Sequence, residues 1–143
     1  MARHIIELTT LLPAQDVFTL LSDMRNAPSW DPNVREVELL TDEPVRKGSR
    51  FRVTVTVAGR PVAMEYTVRQ HLPPHRVILA AATSFVSSVD TISIKEAGKG
   101  CRVSYDADLA PRPLFIAFTP FIAASFAKIV KDAEAGLRRR LEA

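Results

Sequence analysis

The stretch from Pro113 to Leu141 constrains this chain more than any other. Phe115, Phe118, Ile122, Phe126, Ile129, Ala133, Leu137 and Leu141 recur at spacings of three and four, which draws one apolar stripe along a helix. A helix of this kind takes most of its stability from packing that stripe, so the preceding residues must supply a complementary surface. Pro120 lacks a backbone donor and clashes one turn back. The spacing therefore predicts a short segment over Leu114–Thr119 and a straight helix from about Pro120 to Leu141.

At 143 residues, 47% apolar and 24% charged, residues 1–143 are expected to form one ordinary globular domain. Residues 1–110 balance 13 basic against 13 acidic side chains, whereas residues 111–143 carry 6 and 3. The cations Lys128, Lys131 and Arg138–Arg140 complement a helix C-terminus, and no aromatic residues interleave with them, which disfavours nucleic acid. The lone Cys101 excludes an internal disulfide and a multi-cysteine zinc site, so a cytoplasmic setting is expected. The N-terminus lacks the uninterrupted apolar run of a signal peptide. The apolar run Leu114–Ala127, with Pro120 inside it, is expected to be too short to span a membrane and to form a buried helix.

Upstream the period changes. Residues 3–11 alternate as a strand, Pro13 opens a short helix through Ser22-Asp23, and residues 24–33 form a second short helix or a tight loop. Val34–Leu40, Ser49–Val57, Val62–Gln70, Arg76–Phe85, Val86–Glu96 and Arg102–Leu109 then read as strands. Turn residues separate most of them, and such short connections permit only antiparallel neighbours. The joint Ser84–Ser87 has neither Gly nor Pro. The predicted class is α+β: a seven-stranded antiparallel sheet whose apolar face is covered by the C-terminal helix.

Three local patterns carry a family resemblance. They are Val17-Phe18, Leu21, Asp23, Pro28, Trp30-Asp31-Pro32; Leu72-Pro73-Pro74-His75-Arg76; and Gly100-Cys101-Arg102-Val103-Ser104-Tyr105. With the order of elements, they make the whole chain resemble the START/Bet v 1-like helix-grip superfamily, in its SRPBCC branch of polyketide cyclase/dehydrase and lipid transport proteins. Most members have Thr where this chain has Cys101. The resemblance implies a sheet curved around the final helix and a cavity between them for lipids, polyketides or quinone-like molecules. The matched patterns are structural, so they do not separate members that bind from members that catalyse.

Strand parity names the side chains on the apolar face: Phe51, Val53 and Val55; Val62, Met64, Tyr66 and Val68; Val103, Tyr105, Ala107 and Leu109. Val86, Ser88, Asp90, Ile92 and Ile94 share a face, so Asp90 either points inward, with a raised pKa, or meets water near a strand end. An inward Asp90 is a candidate polar contact or general acid/base, with Tyr66, Tyr105 and Ser88 as partners. Trp30 and Phe18 either pack a helix on the sheet edge or line a pocket mouth. Ala80–Ala82 and Ala117, Ala123, Ala124 and Ala127 allow either close packing or room for a guest. The ligand-cavity set is therefore Trp30, Phe51, Val53, Val55, Met64, Tyr66, Ser88, Asp90, Tyr105, Phe115, Phe118, Ile122 and Phe126, with Phe115, Phe118 and Phe121 as a gate.

His4, His71 and His75 are dispersed without metal-ligand spacing, so no metal is expected. Cys101 has no surrounding nucleophile pattern and reads as a packing residue. No phosphate-binding or nucleophile-elbow motif occurs, no cofactor is expected and no residue is assigned a catalytic role. Three functions are compatible with these features. The favoured one is binding of a hydrophobic small molecule, without catalysis. The second is a polyketide aromatase/cyclase or dehydratase-type cavity enzyme. The third is a protein- or RNA-interaction module using the basic C-terminal turn.

Overall fold

The computed structural model describes residues 2–142. Strand β1 (Ala2–Thr10) is followed by helix α1 (Ala14–Ser22) and a 3-10 segment (Met24–Ser29). Six strands follow: β2 (Val34–Leu39), β3 (Arg50–Val57), β4 (Arg60–Leu72), β5 (Arg76–Ala82), β6 (Val86–Ala97) and β7 (Gly100–Pro111). A second 3-10 segment (Pro113–Phe118) leads into helix α2 (Thr119–Glu142). All seven strands form one antiparallel sheet in the order β1-β7-β6-β5-β4-β3-β2. This is the predicted α+β helix-grip architecture.

Successive strands from β2 to β7 are hairpin neighbours, as short turns require. The exception is β1, which pairs with β7 at the far edge from β2, so α1 and the first 3-10 segment carry the chain across the sheet. Asp23 links the two by accepting the Arg25 backbone N–H at 3.0 Å. Alternation decides the buried face: Ile6 and Leu8 of β1 are buried, while Arg3, Ile5 and Glu7 are exposed. Val17, Phe18 and Leu21 of α1 join them in the core.

Where the sequence shows no Gly or Pro, Thr83 makes the turn between β5 and β6. Its Oγ1 accepts N–H groups from Phe85 at 3.3 Å and Val86 at 3.1 Å, and its own N–H donates to the Val86 carbonyl at 2.8 Å. A hydroxyl that satisfies local backbone donors replaces the usual punctuation. It ends β5 at Ala82, three residues before the predicted end at Phe85.

Pro120 divides the C-terminal stretch where its chemistry requires: the 3-10 segment precedes it, and Pro120 sits in the first turn of α2, where its missing donor costs nothing. The apolar stripe is present but serves two purposes. Leu137 and Leu141 are fully packed in the core, a burial that contributes about 1.5–3 kcal/mol each. Thr10 Oγ1 fixes that end by donating to the Leu141 carbonyl at 2.7 Å. The apolar N-terminal half is not the buried helix expected. Over Pro113–Glu142 the most apolar 18-residue window has mean hydropathy 1.7 and only 6% of it is buried, so by length and composition alone this helical stretch is adequate to cross a membrane. Pro120 does not shorten it, because a proline in a first turn does not interrupt a helix. Its inner side faces open space instead of packed atoms, and Leu114 and Ile116 face outward.

Candidate functional site

That open space is a cavity of about 430 Å³ between the sheet and α2, within the range of small-molecule sites. Both edge strands contribute to it, through Ile6 of β1 and Val34 of β2, so the sheet wraps around the guest volume. The β3–β4 hairpin supplies Val53, Val55, Val57, Val62 and Met64. Helix α2 supplies Ile122, Phe126, Ile129 and Ala133, the middle of the apolar stripe. Phe115, Phe118 and Phe121 line the same space; Phe118 and Phe121 remain more than half exposed, at 57% and 64%. The three rings form an open rim and not a closed gate.

Of the thirteen side chains predicted for the cavity, Trp30, Val53, Val55, Met64, Tyr66, Ser88, Asp90, Tyr105, Phe115, Phe118, Ile122 and Phe126 line it. Phe51 does not. It shares the parity of Val53 and Val55, but it starts β3, where the sheet face is closed, and it is completely buried in the hydrophobic core. Parity fixes a face, whereas position along the strand decides between core and cavity.

One end of the cavity is polar, and the sheet register explains why. Tyr66 of β4 pairs with Ala81 of β5, which pairs with Ser88 of β6. The small Ala81 leaves Tyr66 and Ser88 as the prominent side chains of that row. Asp90, two residues further along β6, pairs with Ala107 of β7, and Tyr105 stands two residues from Ala107 on the same face. The Tyr105 hydroxyl crosses the space above Ala107 and donates to Asp90 Oδ2 at 2.9 Å. Trp30 meets the Tyr105 ring edge-on, with centroids 6.2 Å apart.

Asp90 is only 8% exposed. Burial pushes its carboxyl up to about 6, opposed by the Tyr105 hydrogen bond and reinforced by the negative charges of Asp106 and Asp31. Burial, followed by the nearby Asp90 charge, raises both Tyr66 and Tyr105 well above the usual phenol range. The Ser88 hydroxyl beside Tyr66 opposes that rise, although its Oγ makes no hydrogen bond of good geometry and is closed to water.

Asp31 is the important side chain that strand parity misses, because it lies in an aperiodic loop after the first 3-10 segment. It lines the cavity, and burial pushes it up to about 6 as well; the Asn33 backbone N–H at 3.0 Å opposes this and the Asp132 charge adds to it. Its only sequence signal is its place between Trp30 and Pro32. The cavity lining thus holds two carboxyl groups, two phenols and no Lys, Arg or His.

Other candidates lie elsewhere. Cys101 is buried with its Sγ 3.5 Å from the Leu12 carbonyl, and burial raises its thiol. His4 meets Phe126 edge-on and His71 meets Phe18 edge-on, while His75 is exposed. Among the described residues no three His, Cys, Asp or Glu side chains form a metal-binding group. Arg138 is engaged by Glu134 at 2.8 Å and by the Glu7 carbonyl.

The same architecture recurs among solved structures. A START superfamily protein from Mycobacterium smegmatis is 14% identical over 99% of this chain and 97% of its own, with TM-score 0.80. A protein from Thermus thermophilus is 18% identical over 97% and 96%, with TM-score 0.77. One half of the di-domain ARO/CYC BexL also superposes, at 16% identity over 96% of this chain and 47% of that one, with TM-score 0.68. No curated protein sequence matches. Residues 7–142 match the family of polyketide cyclase/dehydrase and lipid transport proteins. The chain therefore belongs to that family.

Proposed function

We propose that this protein binds an apolar small molecule, of lipid, polyketide or quinone-like character, between its sheet and α2. The observation that carries this is the 430 Å³ cavity, whose walls are mostly Val, Ile, Met, Phe and Trp side chains, with a polar cluster of Tyr66, Ser88, Asp90 and Tyr105. An apolar guest replaces contacts that this surface would otherwise lack, and the few polar groups orient it. Native mass spectrometry on protein purified without detergent tests the proposal. The expected result is a small-molecule adduct that is lost on denaturation, or uptake of added Nile red at one site. Failure to find either would remove the proposal.

A second reading is cavity catalysis of the cyclase or dehydratase type. The Asp90–Tyr105 pair favours it, because a carboxyl near 6 beside a phenol is suited to general acid/base work. Conversion of a polyketide substrate that persists in an Asp90→Asn, Tyr66→Phe, Tyr105→Phe triple variant would exclude these groups as catalysts.

A further inference from the structure

Buried polar atoms in folded proteins are almost always paired, and an unpaired one needs a specific explanation. Ser88 is 6% exposed, lines the cavity, and its Oγ makes no hydrogen bond of good geometry, although the Tyr66 phenol lies beside it. Leaving it so costs free energy, which a hydrogen-bonding guest would recover once the Ser88 side chain turns its hydroxyl toward the cavity. Next to it stands the Tyr66 phenol, and two residues along β6 stands Asp90. Tyr105 occupies Oδ2 of Asp90 and leaves Oδ1 for a second donor.

This end of the cavity therefore presents hydroxyl donors on one side and a carboxylate acceptor on the other. A ligand hydroxyl, which donates and accepts at the same point, satisfies both. A carbonyl or ether would set its lone pairs against Asp90. A carboxylate or phosphate would be buried beside Asp90 and Asp31 without a cation to pair with, since the lining contains none.

We infer that Ser88, Tyr66 and Asp90 form a hydroxyl-recognition site, and that the guest is a neutral alcohol or phenol on an apolar body, not an anionic lipid. This rests on the binding function proposed above and narrows its ligand class.

Four rigid probes differing in one substituent test it: pyrene, 1-methoxypyrene, 1-hydroxypyrene and 1-pyrenecarboxylate. Each is titrated into the full chain at pH 7.5, following quenching of Trp30, which lines the cavity and is the only Trp. The expected result is that 1-hydroxypyrene binds about tenfold tighter than pyrene or 1-methoxypyrene, with the carboxylate weakest. In a Ser88→Ala, Tyr66→Phe variant the affinity for 1-hydroxypyrene should fall to that for pyrene. Equal binding of pyrene and 1-hydroxypyrene, or tightest binding of the carboxylate, overturns the hydroxyl site and leaves the apolar cavity standing. Binding of none of the four overturns both.

Discussion

Gly136 of α2 lies directly against the backbone carbonyl of Trp30, with no room between them for even a methyl group. This contact seats the buried half of the helix on the loop that carries Trp30 and Asp31 to the cavity. Glycine inside a helix is otherwise unfavourable by roughly 1 kcal/mol relative to alanine, so it is the close approach that requires it here. Gly136→Ala should therefore destabilise the protein by about 1–3 kcal/mol despite its gain in helix propensity. Urea unfolding checks this, and a more stable variant would mean that the helix does not sit so close to Trp30.

Asp90 makes stability depend on pH in an unusual direction. Its carboxyl is raised to about 6 in the folded protein from an ordinary value near 3.8, so the folded state holds this proton more tightly than the unfolded one. The group is neutral in both states below about pH 3.8 and contributes no penalty there. Its penalty grows as pH rises to about 6 and is complete above that. Asp90→Asn, which keeps an acceptor for Tyr105, should be the more stable protein at pH 7.5 by up to about 3 kcal/mol. Urea melts at both pH values are decisive. The advantage should vanish at pH 3.5, and an advantage of equal size there would show that the carboxyl's charge is not its cause.

Strand parity and helical spacing carried most of the fold because both report which way a side chain points. Val53 and Val55, and Ile122 and Phe126, fall on the inner face for that reason, whereas parity groups Asp90 with Ser88 but leaves open whether it meets the cavity or water. Direction does not report what the face meets. Phe51 has the same parity as Val53 yet meets packed core, while Phe118 continues the helical stripe yet is largely exposed at the cavity rim. Parity says nothing of Asp31, which lies in a segment with no period. Gly136 has no local signal, because its reason lies in Trp30, 106 positions away in sequence.

The turn at Thr83 was equally hidden, since a single hydroxyl does the work of Gly or Pro. Thr83→Val preserves the β-branched shape and removes the oxygen that accepts from Phe85 and Val86. The loss should be about 1 kcal/mol in urea unfolding. Thr83→Ser should recover most of it. If Val and Ser variants are equally stable, the hydroxyl does not hold the turn.

Filling the cavity separates stability from ligand uptake. Met64 of β4 and Ala133 of α2 both line it, so Met64→Trp with Ala133→Phe places two large rings into space that is otherwise empty. In a packed core such overpacking costs about 1–3 kcal/mol. In an open cavity the added rings gain contacts without displacing neighbours, so the melting temperature should hold or rise. Nile red, which is neutral and apolar, should bind at least tenfold more weakly to this double variant. Thermal melts and dye titrations on the same samples decide the matter. A sharp drop in melting temperature would mean that sheet and helix are already in contact there, and undiminished dye binding would place the guest outside the cavity.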